Sequence, residues 1–237
     1  MASASREVDS GRAEEAGDRG QRHDRPSRGR SATEDDAFNW GNKGGGYIRS
    51  RVEAENLVLN YARNRGLPAV ALCVSNTYGR GEWQPTPHGW LAAVAAAGRM
   101  GVYVKGASEA VGVEDAATAL VLAADNGRNG ERYIVSERFV SSRELHHTAA
   151  NAVGAKRPRF GIPLKAMYVL GLGGDIAGAV LRRDMKLSTL SVRLMHITGT
   201  MDHGKAEREV GWRPTPVYDS IRRAAHFHRE HRRPATS

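Results

Sequence analysis

The sequence predicts an α/β fold in which helices alternate with strands of a parallel sheet. An amphipathic helical pattern over residues 47–65 is followed by the apolar run 69–74. That run is continuous rather than alternating, which is typical of a parallel strand buried on both faces. A second strand is predicted at 131–136, after further helical segments. These observations together place the chain in the α/β class.

Composition limits the class of protein. The chain has 237 residues, of which 40% are hydrophobic, so it is long enough for one or two domains with a sizeable core. Its single cysteine, Cys73, excludes an internal disulfide and fits a reducing compartment. No apolar run reaches the roughly 18 residues that span a bilayer, and the first residues lack the apolar stretch of a signal peptide. We therefore expect a cytoplasmic protein that does not associate with membranes.

The formal charge of +9 raises nucleic acid as a partner. Much of the excess lies in five arginines near the C-terminus: Arg222, Arg223, Arg229, Arg232 and Arg233. No base-stacking or DNA-reading motif accompanies them, so a solvated basic tail is favoured and nucleic-acid binding is the weaker alternative. The same segment carries three histidines: His226, His228 and His231. Neither cysteines nor converging acids accompany these histidines, which argues against a metal site.

The N-terminal residues differ in composition from the rest of the chain. Residues 1–37 contain no Leu, Ile, Phe, Tyr or Trp. Such a segment cannot bury enough apolar surface to offset the entropy lost on ordering. We predict a disordered extension over residues 1–32 and a folded part over residues 33–237.

The helix predicted over residues 47–65 carries a pair of side chains suited to acid–base chemistry. Tyr47 and Arg51 are four residues apart, so they share one helix face, with Cβ atoms about 5–6 Å apart. A fixed cation beside a phenol favours the phenolate and lowers the tyrosine pKa from its usual value of about 10. On the apolar stripe of the same helix, Val58 and Tyr61 are expected to widen the buried face.

The remaining elements follow from helical patterns and their end signals. Helices are predicted at 90–99, from 111 onward, and at 141–153, 164–181 and 216–231, with a short strand at 102–104. Asp115 suits the positive N-terminal end of its helix, and Ser141 or Ser142 is expected to cap the helix at 141–153. The last helix is expected to turn three residues inward: Ile221, Ala225 and Phe227.

Several stretches of the chain together carry a resemblance to a known family: residues 34–40, 47–55, 66–79 and 202–214. The second stretch contains Tyr47-x-x-x-Arg51, and the last ends in Gly211-Trp212-x-Pro214. This pattern resembles the middle and C-terminal parts of extended short-chain dehydrogenases/reductases, in the NAD-dependent epimerase/dehydratase family. The family has lysine where this chain has Arg51, which keeps the charge but not the hydrogen-bonding geometry of an ammonium.

The resemblance implies a partial Rossmann-like parallel sheet, followed by a smaller, mostly helical C-terminal portion of a substrate domain. It implies NAD or NADP as cofactor, with Tyr47 and Arg51 as a catalytic pair that also contacts the cofactor. The resemblance further implies an NAD(P)-dependent epimerase/dehydratase or reductase that acts on a sugar-nucleotide, a steroid-like compound or another small molecule with a hydroxyl or carbonyl group.

Further contacts follow from the same resemblance. In the family the backbone after the strand at 69–74 lies near the nicotinamide, which assigns cofactor contacts to Ser75, Asn76 and Thr77. A plain turn is the alternative for these residues. His88, at the start of a helix, is expected to contact an anionic or hydroxylated substrate, and a structural role at the helix start is its alternative.

One family feature is missing from the sequence. The glycine-rich turn that cradles the cofactor pyrophosphate has no counterpart, because the glycine-rich run 41–46 precedes a helix without a strand before it. No residue is assigned as the catalytic Ser/Thr, since the strand that carries it in the family is also missing. We therefore expect a truncated family member. The alternative is an inactive fragment or pseudoenzyme that forms a homo-oligomer or binds a partner that completes its sheet.

Overall fold

A computed structural model of the protein describes residues 30–36, 45–83, 86–169, 172 and 199–231, and it has the predicted α/β class. Its helices are α1 (Gly45–Arg65), α2 (Pro87–Ala96), α3 (Val113–Asn126), α4 (Ser142–Ala152), α5 (Gly204–Val210) and α6 (Val217–Glu230). Its strands are β1 (Ala71–Val74), β2 (Asn76–Tyr78), β3 (Val102–Val104), β4 (Ala107–Gly112), β5 (Arg132–Val135), β6 (Arg138–Ser141) and β7 (Phe160–Ile162). Residues 164–169 are helical, whereas most of the helix predicted at 164–181 and residues 1–29 of the predicted extension lie outside the described residues.

The strands form three small sheets. β1 pairs with β5 in parallel, β3 pairs with β7 in parallel, and β4 lies between a parallel β2 and an antiparallel β6. The parallel pairing predicted for the run 69–74 is confirmed. The predicted burial of that strand on both faces is wrong, because its last residue, Val74, is 41% exposed. Within the described residues β5 is the only strand that pairs with β1, so the other edge of β1 is open.

Helix α1 has the predicted position, and Gly66, with a φ of 71°, follows its last residue. Leu59 and Ala62 are buried, as their helical spacing predicts. Val58 and Tyr61 are 39% and 46% exposed, so the prediction that they widen the buried stripe is wrong. The physical reason is that the described elements cover only one narrow side of this helix.

Helices α2, α4 and α6 pack together and form the first hydrophobic core. The alanines of α2 and α4 allow the three helices to approach closely, and Tyr78 of β2 closes the core on one side. Ile221 and Ala225 of α6 are fully buried and Phe227 is nearly so, which confirms the prediction for the last helix. Most of the helical segment on which the predicted smaller portion rests, residues 164–181, lies outside the described residues, so that portion stays a prediction.

A second core lies between α3, β5 and α5, with the fully buried Trp212 at its centre. The Trp212 indole Nε1 donates a hydrogen bond to the main-chain oxygen of Asp115 at 2.8 Å. The Asp115 carboxylate accepts hydrogen bonds from the Thr215 hydroxyl at 2.8 Å and from the Thr215 main-chain nitrogen at 3.2 Å. Asp115 therefore fixes the C-terminal segment, a role beyond the helix-end role predicted for it.

Helix starts follow their capping residues. α2 begins at Pro87, earlier than predicted, because the Thr86 hydroxyl accepts a hydrogen bond from the Gly89 main-chain nitrogen at 3.1 Å. α4 begins with a capping box between Ser141 and Glu144, so the predicted cap is confirmed. Within the described ranges, none of the helices is both long enough and apolar enough to cross a bilayer.

Candidate functional site

Tyr47 and Arg51 form an exposed pair near the start of α1. The guanidinium carbon of Arg51 lies 5.3 Å from the centre of the Tyr47 ring, and Tyr47 is 61% exposed. The same helix repeats the arrangement further along, where the guanidinium carbon of Arg65 lies 5.7 Å from the centre of the Tyr61 ring. The first pair thus places a solvent-facing phenol next to a fixed cation, an arrangement that can transfer a proton to or from a bound substrate.

Polar contacts hold the second half of α1 against the sheet. Arg132 of β5 has its Nε 3.0 Å from Oε1 of Glu55. Arg63 donates a hydrogen bond from Nε to the main-chain oxygen of Gly130 at 2.9 Å. Tyr47 lies eight residues before Glu55, about 12 Å along the helix axis. The sheet therefore fixes the direction of the helix that carries the tyrosine.

The residues predicted to contact the cofactor lie where the chain passes from β1 to β2. The main-chain nitrogen of Ser75 donates to the Val135 oxygen at 3.0 Å, and the Ser75 hydroxyl is buried without a hydrogen-bond partner among the described residues. Asn76 and Thr77 belong to β2, so a plain turn is wrong for these two positions. In the part of the chain that the structure describes, no hydrogen bond joins this segment to the tyrosine–arginine pair of α1.

Two buried or partly buried carboxylates near the β1–β5 sheet had no signal in the sequence. Glu109 of β4 accepts hydrogen bonds from the Ser136 hydroxyl and, at 2.9 Å, from the Met201 main-chain nitrogen. Burial raises the pKa of Glu109, and these two hydrogen bonds oppose that effect. Glu34 accepts a hydrogen bond at Oε1 from the Ile134 main-chain nitrogen at 2.8 Å. Of the two, only Glu34 bonds to the main chain of a strand, at a nitrogen of β5 that does not bond to β1.

His88 lies in the first turn of α2 and lines a cavity of about 140 Å³. Burial lowers the pKa of His88, and the nearby Glu82 carboxylate opposes that effect. The neighbouring helix α4 contributes His146 to the same cavity. His146 was not predicted as a site residue, because its position in the helix does not show which other elements pack around it.

The arginines of the C-terminal segment make contacts within the chain. Arg223 pairs with Glu114 at 2.6 Å, Arg222 pairs with Asp219, and Arg229 donates to a main-chain carbonyl. The other two arginines lie outside the described residues. Within those described residues, no group of three or more His, Cys, Asp or Glu side chains could hold a metal ion.

Comparison with known proteins decides the family. A sequence profile of the NAD dependent epimerase/dehydratase family matches residues 12–136, which is more than half of the 237-residue chain. The chain belongs to the NAD-dependent epimerase/dehydratase family. This match confirms the resemblance found in the sequence, and it begins within the stretch predicted to be an extension. The boundary at residues 32 and 33 stays a prediction.

This epimerase/dehydratase chain is similar to a named protein and to solved crystal structures. Sterol demethylase protein B from Methylococcus capsulatus is 28% identical over 186 residues, which cover 78% of this chain and 56% of that protein. The crystal structure of gox2253 is 26% identical, with a TM-score of 0.73, and the match covers 87% of this chain and 62% of that one. A nucleoside-diphosphate-sugar epimerase from Pseudomonas aeruginosa is 22% identical, with a TM-score of 0.65, 87% of this chain covered and 63% of that one.

The structural likeness confirms a Rossmann-like α/β fold for this member of the epimerase/dehydratase family. The chain spans between 56% and 63% of the length of these relatives. The activity of a whole family member therefore does not transfer to this chain directly. The predicted roles of Tyr47, Arg51, His88 and the segment 75–77 remain predictions.

Proposed function

We propose that this chain carries the acid–base and substrate-contacting part of an NAD(P)-dependent epimerase/dehydratase or reductase. The observation that supports this proposal is the exposed Tyr47 phenol beside the Arg51 guanidinium, on the helix where the family has its catalytic tyrosine. Tyr47 donates a proton to the substrate oxygen or accepts one from it. Arg51, whose guanidinium lies over the Tyr47 ring, supplies a nearby positive charge while the phenol oxygen carries negative charge.

The substrate proposed for this site is a small molecule with a hydroxyl or carbonyl group. Sugar-nucleotide and steroid-like compounds are the two classes that the names of the relatives support. His88 is the proposed substrate contact on this chain, since it lines a cavity at the start of α2.

NAD or NADP supplies the hydride chemistry of such a reaction when it is bound. The residues of this chain that suit its nicotinamide–ribose end are Tyr47, Arg51 and the segment 75–77. The Ser75 hydroxyl fits this role, because it is buried without a hydrogen-bond partner among the described residues. Among the described residues no strand leads through a glycine-rich turn into a helix, so no residue is assigned to the pyrophosphate.

The first test measures thermal unfolding of the purified chain with and without NADH or NADPH. A nucleotide at about 100 times its dissociation constant stabilises a protein by about 2.7 kcal/mol, which raises the unfolding midpoint of a chain of this size by several degrees. An upward shift with either nucleotide supports the proposal. An unmoved midpoint with both nucleotides contradicts it.

Replacement of the proposed proton donor tests the chemistry. Tyr47→Phe removes the hydroxyl and is expected to lower turnover by at least about 100-fold, the smallest usual contribution of a general acid or base. Tyr61→Phe is the matched control, because Tyr61 lies on the same helix and has its own arginine four residues later. Steady-state rates with a hydroxyl substrate and NAD or NADP provide the measurement. Equal losses of turnover in Tyr47→Phe and Tyr61→Phe would show that Tyr47 has no special role in proton transfer.

The open edge of β1 favours a second candidate function, a fragment that is inactive until a partner completes its sheet. That edge has no paired strand among the described residues, and Leu57 of α1 is 59% exposed. Unpaired strand edges and apolar faces promote association. Size-exclusion chromatography coupled to light scattering tests this candidate, and a monodisperse monomer at all protein concentrations would argue against it.

A further inference from the structure

A groove beside the β3–β7 sheet concentrates positive charge. It has a volume of about 680 Å³ and lies between β3, β7, the start of α4 and the segment that joins α4 to β7. None of the described residues that line it is Asp or Glu. Five exposed cations line it: Lys105, Arg143, Lys156, Arg157 and Arg159. We call this surface the basic groove.

Little negative charge within the chain offsets the basic groove. In the part of the chain that the structure describes, Arg143, Lys156 and Arg159 have no ion pair and no side-chain hydrogen bond. Arg157 bonds through Nε to the side-chain oxygen of Asn151, which carries no charge. Clustered like charges repel one another, so an anionic ligand in the groove relieves a repulsion that the chain itself leaves in place.

The floor of the groove explains how its cations come together. A Cβ atom added at Gly161 of β7 would lie 3.0 Å from Cζ of Tyr103 and 2.9 Å from Cε of Lys105. The glycine therefore gives these two side chains of β3 room against β7. On the same side of the sheet, the centre of the Tyr103 ring lies 6.4 Å from that of His147 in α4. Cations from β3, α4 and the segment before β7 thus meet at one surface.

Phe160 adds an exposed aromatic residue to the lining. It is the first residue of β7, directly follows Arg159 and is 70% exposed. An exposed aromatic ring among cations suits single-stranded nucleic acid, which presents both phosphates and bases that are free to stack. An anionic bilayer offers no free rings, and its flat surface does not enter a groove. Charge and shape therefore favour a nucleic-acid strand.

We propose that the basic groove binds single-stranded nucleic acid, with phosphates paired to its cations and a base stacked on Phe160. This binding function goes beyond the proposed enzymatic function and does not depend on it. The sequence analysis considered nucleic acid for the arginines near the C-terminus, whereas the groove gathers its cations from three other parts of the chain.

Fluorescence anisotropy with labelled oligo(U) of about ten nucleotides, a usual site size, measures binding to the whole chain. The double variant Arg143→Gln/Arg159→Gln is expected to bind at least about tenfold more weakly than the wild type. Its slope of log affinity against log salt should be smaller by about 1.4, since each phosphate contact to a single strand contributes about 0.7. Arg222→Gln/Arg223→Gln is the matched control, because it removes the same charge from arginines that pair with carboxylates. This control is expected to bind as the wild type does.

Phe160→Leu tests the stacking contact, because it keeps an apolar side chain and removes the ring. It is expected to weaken oligo(U) binding by at least about fivefold. Its affinity for inorganic polyphosphate, which has no bases, should stay at the wild-type value. An unchanged affinity of Phe160→Leu for oligo(U) would overturn the assignment to nucleic acid.

A further measurement needs only the wild-type protein and therefore does not depend on how the variants fold. Photo-crosslinking of an oligonucleotide that contains thiouridine, followed by mass spectrometry, is expected to modify the segment 156–160 or Tyr103. Crosslinks confined to residues 217–231, or equal oligo(U) affinities of the wild type and the groove double variant, would overturn the inference. Equal affinities for uridine diphosphate and oligo(U) would contradict a strand-binding site. Binding to phosphatidylserine vesicles without binding to oligo(U) would contradict it too, in favour of a membrane surface.

Discussion

His146 and His147 are neighbours in α4, yet the fold gives their rings different surroundings. His147 is partly exposed and bonds to the main chain, whereas His146 is buried in a largely aliphatic wall. Burial disfavours the charged form of an imidazole, which is why the pKa of His146 falls to about 4. Two adjacent histidines of one helix thus differ in their surroundings: His147 is partly exposed, whereas His146 is buried and neutral at pH 7.

This burial predicts that acid destabilises the protein through His146. Its pKa is about 4 in the folded chain and about 6.5 when unfolded, so the unfolded chain binds more protons between these values. The contribution of His146 is therefore present above pH 6.5 and is lost as the pH falls from 6.5 to 4, by about 3 kcal/mol in total. Urea unfolding at pH 7 and pH 4 measures this loss.

The variants separate His146 from other titrating groups. Between pH 7 and pH 4, His146→Leu is expected to lose about 3 kcal/mol less unfolding free energy than the wild type loses. His147→Leu is expected to show the wild-type loss. If His146→Leu lost as much stability in acid as the wild type, the buried histidine would not be the cause.

At the scale of single residues, the sequence predicted what spacing alone can determine. Tyr47 and Arg51 share a helix face because they are four residues apart, and their contact follows. Spacing could not show that Tyr61 would be exposed, because its burial depends on elements elsewhere in the chain. The burial of His146 was hidden for the same reason, since several elements together form its surroundings.

Among the elements, α4 shows how a helix start is fixed by two side chains. The Ser141 hydroxyl accepts a hydrogen bond from the Glu144 main-chain nitrogen at 3.2 Å, and the Glu144 carboxylate accepts one from the Ser141 main-chain nitrogen at 3.1 Å. These bonds satisfy main-chain donors that the first turn of a helix leaves unpaired. α4 also carries part of the cavity wall, so its start position matters for the site.

Loss of this cap is expected to destabilise the protein. Ser141→Ala should lower the free energy of unfolding by about 1 kcal/mol, within a usual range of about 0.5–2 kcal/mol. Thr118→Ala is the control, because the Thr118 hydroxyl bonds within the exposed side of α3 and caps no helix. Urea denaturation measures both changes. Equal effects of the two substitutions would contradict the capping role.

The helices were predictable because they have clear end signals, and several strands were not. Gly66 lies just after α1 and Gly154 lies two residues after α4, each with a positive φ, which is a typical helix end. β2, β4, β6 and β7, of three to six residues each, were not predicted. Their pairing depends on partners far away in the sequence.

In the whole molecule, Trp212 connects parts of the chain that are far apart in sequence. Its indole bonds to the main chain of Asp115, 97 residues earlier, in the centre of the second core. Because the Asp115 carboxylate also bonds to Thr215, this contact holds the C-terminal segment against α3. The family motif Gly-Trp-x-Pro is therefore structural in this chain.

Removal of this connection should affect global stability. Trp212→Phe loses the indole hydrogen bond and leaves unfilled volume, and it is expected to cost about 2 kcal/mol of unfolding free energy. Trp90→Phe is the control, since Trp90 is more than half exposed, and it is expected to change stability little. Thermal or urea unfolding measures both variants. A stable Trp212→Phe protein would show that the motif does not hold the segment in place.

The Glu34 carboxylate makes the two edges of the small β1–β5 sheet different, because it bonds to a main-chain nitrogen on the β5 edge. Ala71 and Ser75 donate main-chain hydrogen bonds toward β5, so the main-chain groups of Leu72 and Val74 point to the other edge of β1, away from β5. On the outer edge of β5, the Glu34 carboxylate accepts the hydrogen bond of the Ile134 main-chain nitrogen. Among the described residues, the edge of this sheet that is open to a further strand is therefore that of β1. A parallel strand that paired with this edge would end beside Ser75. Amide hydrogen–deuterium exchange tests which edge is used. Pairing of a further strand with β1 should slow exchange of the Leu72 and Val74 amides and leave exchange of the Ile134 amide unchanged.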